Sequence, residues 1–245
     1  MKRGEFIING THSSELNSLI QYRPEMATPL RKVRMRSVPG VDGDYIFDEE
    51  AYENTSISLE LFAKGEDENE INYLKELIAY TFDSGDYIEF VPYWDETTVY
   101  QVKAINGPNY NPDGSVPLLL NYTVELSAKP FKYFKKSIEI EGNEPFTLIN
   151  PSFYESEPKI TLYGTGDMKL LINAEEYVFK SVDDYIIVDS ATENAYKEEN
   201  GIVISRNHRM YTIDFPKFQP GENTIQTTGS SMRYKVEPRW RKLVS

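Results

Sequence analysis

The sequence predicts a mainly β protein in two parts: an N-terminal β-rich domain with one amphipathic α-helix, followed by a C-terminal all-β sandwich. Three observations predict this. Two long runs alternate apolar and polar residues with period two, the mark of a strand with one wet face. A single stretch carries an apolar stripe at helical spacing behind a capping signal. Between 127 and 137, "SAKPFKYFKKS" interrupts the strand pattern with a Pro and two Lys-containing pairs before a new set of short strands begins.

Along the chain, "KVRMRSV" reads as a strand and "PGVDGD" as the turn after it. "TSISLELFA" (55–63) places Ile57, Leu59 and Leu61 on one face. In "DENEINYLKELIAYTF", Asp67 and Glu70 have capping-box spacing, and Ile71, Leu74, Leu77, Ile78 and Phe82 form the stripe. "DYIEFV" and "VYQVKAI" are further strands, and "NPDGS" a turn. "LNYTVELSA" (120–128) puts Leu120, Tyr122, Val124, Leu126 and Ala128 on one face. Beyond the interruption, "KITLYG", "KLLIN", "EYVFK", "YIIVD" and "RYKVE" are short strands, with turns expected at "GTGD" and "PGEN". In the last of these Pro220 fixes φ and Gly221 supplies a positive one, so the chain reverses there. The expected domains are 1–133 and 134–245.

The 245 residues suffice for two domains of ordinary size, and 40% hydrophobic with 13% aromatic residues supply their cores. Tyr, with 18 copies, favours strands and amphipathic surfaces. A net charge of −13 repels nucleic acid and anionic bilayers alike, so neither stable nucleic-acid binding nor membrane insertion is expected. There is no Cys, which removes disulfides, zinc–thiolate sites and thiol nucleophiles. No apolar run is long enough to span a bilayer, and the N-terminal "MKRGEFIING" lacks the apolar core of a signal peptide.

Catalytic and ligand-binding patterns are weak. His12 and His208 stand far apart in sequence, without Cys, and read as ordinary histidines rather than zinc ligands. Glu155 or Glu157 with Asp189 is the nearest thing to a glycosidase carboxylate pair, with nothing in the sequence to make them converge. "VDGDY" (41–45) fails calcium-loop spacing, because Ile46 stands where a ligand is needed. "YGTGD" is too short for a dinucleotide fingerprint, and "THSSELN" has no nucleophile elbow. Tyr93, Trp94 and Tyr100, and then Tyr154, Tyr163 and Tyr211, are the rings a sugar platform would need; core or protein contact is the reading favoured for them. No catalytic, cofactor or metal residue is expected, and no enzyme activity.

Taken in order, several segments resemble the distal tail proteins (Dit) of long-tailed phages and prophages of Gram-positive bacteria. They are "FIINGTHSSELN", the "PGVDGDY" turn, "YENTSISLELFAKGE" with the helix after it, "LSAKPFKYF" at the junction, "LINPSFYESEPKITLYGTGD", "FPKFQPGENTI" and "VEPRWRKL". The resemblance runs from residue 5 to about 243. Val41, where that family often has a basic residue, and Ala128, where it often has Cys, depart from it. The resemblance implies a virion structural protein of the tail tip, made in the host cytoplasm. Its first domain would form a hexameric ring around a channel for the genome, and its second would be a galectin-like β-sandwich. The ring would join the tail tube protein to the tail-associated lysin or fibre, and in some relatives to a receptor-binding protein. The alternative is a carbohydrate-binding module for host cell-wall polysaccharide acting through the second domain.

Overall fold

The computed structural model describes residues 1–111, 118–135 and 139–245. The chain divides into two compact units, residues 1–132 with 243–245 and residues 133–242. The first unit holds β1 (Phe6–Ile8), β2 (Thr11–His12), β3 (Ser18–Ile20), β4 (Arg31–Ser37), β5 (Asp44–Tyr52), β6 (Thr55–Lys64), α1 (Glu68–Phe82), β7 (Ile88–Pro92), β8 (Thr98–Ala104), β9 (Asn109–Asn111) and β10 (Leu119–Ala128). "NPDGS", expected as a turn, lies almost wholly outside the described residues, as does the end of "SAKPFKYFKKS".

The period-two runs become the centre of this unit. Strands β6 and β10 pair antiparallel from Leu119↔Lys64 to Ala128↔Thr55 without a break. Opposite residues share a face, so Leu59 lies beside Val124 and Leu61 beside Tyr122, all buried. The sheet runs β2-β1-β7-β8-β10-β6-β3, with β9 on β10. Leu74, Ile78 and Phe82 of α1 join the same buried cluster, with Ile71 and Leu77 packed at its margin. Burying each such side chain contributes on the order of 2 kcal/mol. Helix α1 starts as the sequence predicts: Asp67 accepts from the Glu70 amide at 2.8 Å. The reciprocal bond is displaced by one residue, because Glu70 accepts from the amide of Glu66 at 2.5 Å and from Asn17 Nδ2 at 3.2 Å.

The sequence places "VEPRWRKL" in the second half, but the chain end returns to the first unit. Val244 is fully buried in the first core and donates its amide to the Pro130 carbonyl at 2.9 Å. Beside it, Lys132 is almost wholly buried. Its Nζ lies 2.9 Å from Asp95 and donates to the Tyr100 hydroxyl at 3.2 Å and the Ser245 carbonyl at 3.3 Å. A buried cation survives only where such partners replace its water.

The second unit begins at Tyr133, within β11 (Phe131–Phe134), and contains β12 (Ile140–Gly142), β13 (Phe146–Asn150), β14 (Lys159–Ile172), β15 (Glu175–Val182), β16 (Tyr185–Asp189), β17 (Asn194–Glu199), β18 (Ile202–Ser205), a short 3₁₀ turn (Asn207–Arg209) and β19 (Gly221–Glu237); β20 (Arg241–Leu243) runs to its end. The order is β12-β19-β14-β16-β17-β18, with β13 also on β19 and β15 also on β14.

"GTGD" is not a turn. "KITLYG" and "KLLIN" are one 14-residue strand, β14, which keeps its direction through a bulge. Tyr163 pairs with Arg233, Gly164 with Ser231, and Met168 with Gly229, so 165–167 lie opposite Ser230 alone, two residues more than on β19. On its other edge β14 pairs with β16 up to Tyr163 and with β15 from Gly166. The bulge therefore marks a change of partner, as where a strand turns the corner between two layers. Ile160 and Val188 on one side of it share a buried cluster with Leu170 and Phe179 on the other. Gly164 has φ +151°, and a Cβ there would lie 2.2 Å from the Ser230 carbonyl oxygen. "RYKVE" likewise is the end of a 17-residue strand.

The Pro-Gly reversal is present. Gly221 has φ +84°, and the fully buried Asn223 ties the turn together. Asn223 accepts from the Gln219 amide at 2.9 Å and donates to the Gln219 carbonyl at 2.8 Å. The flanking segments do not pair with each other: Phe218 bridges to Ser156, while β19 pairs with β13 and β14.

Two outcomes follow. Gly164→Ala adds a methyl against backbone at a positive φ and lowers stability by about 3 kcal/mol or prevents folding, whereas Gly85→Ala, with open space around it, stays within about 0.5 kcal/mol in urea unfolding. Asp95→Asn leaves Lys132 buried without its counter-charge and costs about 3 kcal/mol. Burial pushes the Asp95 carboxyl up, but the hydrogen bonds it accepts and the Lys132 charge outweigh this and hold it below the ordinary value. Its folded pKa is then below its unfolded one, so the contribution is complete above about pH 4 and lost as pH falls through the depressed value. Between pH 5 and pH 3 the native chain therefore loses more stability than Asp95→Asn does.

Candidate assembly surface

Strands β4 and β5 form a separate two-stranded sheet joined by the turn at 38–43. The register pairs Val33↔Asp48, Arg34↔Phe47, Met35↔Ile46 and Arg36↔Tyr45. Alternation puts Val33, Met35 and Ile46 on one face, and Arg34, Arg36, Tyr45 and Phe47 on the other. Both faces are in solvent: Met35 and Ile46 are each 64% exposed, Phe47 53% and Tyr45 52%. A lone ribbon is marginal in water, and contiguous exposed apolar side chains mark an interaction surface.

The base of this arm is pinned. Arg31 lies 2.5 Å from Asp48 through Nη2 and donates to the Tyr52 hydroxyl at 3.1 Å. The Tyr52 ring meets Phe131 edge-on at 5.4 Å. The hydrogen bond from Arg31 holds the Asp48 carboxyl below its usual range. Further out, Arg34 reaches Glu49 at 2.6 Å. Only two residues separate Tyr52 from the start of β6 at Thr55, so the arm grows from the central ladder.

A second exposed surface lies on the outer side of α1. Tyr73 is 61% exposed and Tyr80 81%, with Glu76 between them on the same face. At the C-terminal end of α1, Tyr80, Asp83, Lys103, Ile105 and Pro108 line a groove of about 530 Å³.

The residues singled out for chemistry are dispersed. His12 Nδ1 meets Ser14 Oγ at 2.8 Å in the first unit; His208 is exposed on the short 3₁₀ turn of the second. Glu155 is paired with Lys217 at 2.7 Å, Glu157 with Arg241 at 2.7 Å, and Asp189 with Arg239 at 2.7 Å, so each carboxylate has its own cation. "VDGDY" belongs to the arm's turn and the start of β5. Among the described residues no cluster of His, Asp or Glu has the arrangement of a metal site. Among the described residues no helix is long and apolar enough to cross a membrane. Tyr100 is fully buried, and Tyr93 and Trp94 pack against the first core. Tyr163 is half-buried with the Arg233 guanidinium 4.1 Å above its ring, and Tyr211, 62% exposed, carries Lys180 at 4.6 Å.

The arm was not foreseen as a surface. Its signal was nevertheless present: apolar residues at 33, 35 and 46 and at 45 and 47 flank the predicted turn at "PGVDGD", although only "KVRMRSV" was expected as a strand. No core covers both faces of a two-stranded ribbon.

No protein-family model matches the chain, and no curated protein sequence does. Solved structures do. The crystal structure of the SPP1 Dit (gp 19.1) protein, described as a paradigm of the hub adsorption apparatus in phages infecting Gram-positive bacteria, superposes with a TM-score of 0.71 at 14% identity, covering 99% of this chain and 100% of that one. The phage p2 baseplate in its activated conformation matches as well. With Sr the TM-score is 0.56 at 10% identity over 99% of each chain; with Ca it is 0.53 at 12% identity over 96% of this chain and 98% of that one. End to end, the chain has the β-rich fold of a Dit-like phage hub protein.

Proposed function

We propose that this chain is a structural component of a phage tail tip: a hub whose copies close into a ring of six through the first unit. The observation that carries this reading is the β4–β5 arm, with exposed apolar side chains on both faces, on a chain with the fold of phage hub proteins. An arm that leaves one copy and seats on a different patch of the next makes a heterologous contact, and a heterologous contact that closes makes a ring. In this reading the ring joins the tail tube to a lysin or fibre protein, and the chain is assembled in the host cytoplasm and resides in the virion. The second unit, with long strands bent from layer to layer, is the galectin-like sandwich and carries any receptor-binding partner. The role is structural, with no catalytic, cofactor or metal residue assigned. An overall charge of −13 suits a channel that lets the genome pass without binding it.

Carbohydrate binding by the second unit ranks below this. Arg233 and Lys180 sit over the rings of Tyr163 and Tyr211, where a sugar face would stack.

Native mass spectrometry tests the ring. The expected species has six times the 28.3 kDa mass of the chain, in solution or on addition of its tail partners. Replacing residues 33–47 by a short Gly-rich turn leaves a folded monomer with the circular dichroism and melting of the first unit intact. A stable dimer, or assembly that survives loss of the arm, contradicts the reading.

A further inference from the structure

Asn-Gly occurs at three places in the chain, 9–10, 106–107 and 200–201. Two of these pairs have a structural task. Asn9–Gly10 joins β1 to β2 between the paired Ile8 and Thr11, and Asn200–Gly201 joins β17 to β18 between the paired Glu199 and Ile202. Both residues of each pair have positive φ, 48° and 80° in the first and 50° and 77° in the second. A tight two-residue hairpin loop requires this, and Asn-Gly supplies it. The paired strands on either side hold both loops in place, and the Asn9 amide also donates to the Glu89 carbonyl at 2.8 Å.

The third pair has no such task. Strand β8 leaves β10 at Ala104↔Leu126 and β9 rejoins it at Asn109↔Thr123, so residues 105–108 lie opposite Val124 and Glu125 alone. Asn106 and Gly107 are exposed on this excursion. Neither has a positive φ, and a Cβ at Gly107 would meet nothing within 4 Å. Backbone and packing therefore place no demand for glycine at 107. The Asn106 carboxamide makes one long contact, Nδ2 to Glu125 Oε2 at 3.5 Å, too weak to fix the side chain.

We infer that Asn106 is a site of spontaneous covalent modification, where the folded chain deamidates through a succinimide with water as co-reactant. The Gly107 amide nitrogen gives its proton to hydroxide and attacks Asn106 Cγ. The new N–Cγ bond closes a five-membered ring, the Cγ–Nδ2 bond breaks, and that nitrogen leaves as ammonia with a proton from water. A second water opens the ring. Attack at Cγ gives aspartate; attack at the backbone carbonyl gives isoaspartate, which lengthens the main chain by one methylene. Overall one amide becomes one carboxylic acid, one water is consumed and one ammonia is released. Glycine favours the reaction because no Cβ shields the attacking nitrogen and its backbone is free to rotate. The fold decides which pair reacts. Bringing the nitrogen against the Asn side chain requires backbone rotation, which opens strand pairing in the two hairpins and breaks none at 106–107. The product carboxylate stands where Nδ2 met Glu125, so a weak attraction becomes a like-charge repulsion. The same loop lines the groove at the end of α1 beside Tyr80 and Asp83. Each aged copy of the chain thus carries one more negative charge on that surface, and the change is one-way.

The test follows the full-length protein in mildly alkaline, heavy-oxygen water, with tryptic peptides read by mass spectrometry. The label separates conversion during incubation from conversion during digestion. Short synthetic peptides spanning each Asn-Gly pair serve as unfolded references. In the folded chain Asn106 is expected to convert within about threefold of its peptide, and Asn9 and Asn200 at least about tenfold more slowly than theirs. Gly107→Ala slows conversion at 106 by about tenfold or more and melts like the native protein, because the added methyl enters open space. Asn106→Gln keeps the amide but would need a six-membered ring, and it stays unconverted with the native melting temperature. Asn106 as retarded relative to its peptide as the other two, or Gly107→Ala converting at the native rate, overturns the inference.

Discussion

The first unit is organised by the unbroken antiparallel ladder between β6 and β10. It aligns Ile57, Leu59 and Leu61 opposite Leu126, Val124 and Tyr122, and that single apolar face gives α1 a surface to cover. The face fixes the helix, and the helix's opposite side then necessarily carries Tyr73, Glu76 and Tyr80 outward. The same ladder also anchors the arm, because β5 ends at Tyr52 and β6 begins at Thr55. A ribbon too thin to bury its own side chains is thus held at its base by the longest continuous strand ladder described in the unit, with Arg31, Asp48, Tyr52 and Phe131 as the clamp. Rigid support and an uncovered tip are what a contact between copies needs: little ordering entropy is lost when the arm seats.

The second unit solves a different problem. Two long strands, β14 and β19, run side by side and exchange partners on their outer edges. The bulge at 164–168 lets one strand serve both layers, and close approach of Ser230 leaves no room for a Cβ at Gly164. The Pro220–Gly221 reversal delivers the chain into β19, and Asn223 closes it with bonds on both sides of Gln219. That turn is a structural fixture. Its side chains satisfy the backbone and each other.

Much of this was legible in the sequence. Local signals survived where they had no competitor: the Asp67 cap, the stripe of α1 and the alternation of β6 and β10 all lie where spacing puts them. "GTGD" misled because the residues that permit a reversal also permit a bulge, and only the partner strand decides between them. The return of Val244 to the first core was beyond reach, since nothing local distinguishes a buried Val near the end of a chain from an exposed one. The arm's strands were partly visible, but their exposure was not: "KVRMRSV" alternates like a half-buried strand, and the missing cover is a property of the whole unit. The carboxylates Glu155, Glu157 and Asp189 show the converse. Sequence lists acids, while geometry shows each one held by its own Lys or Arg.

Hydrogen exchange of the arm tests its assembly role most directly. In the monomer the amides of residues 31–52 belong to a lone ribbon and should exchange fast, far faster than those of β6 and β10. In the assembled form the same amides should be protected by at least about tenfold, with the central ladder unchanged. Equal exchange of the arm in both forms would show that the copies meet elsewhere and would contradict the role given to it.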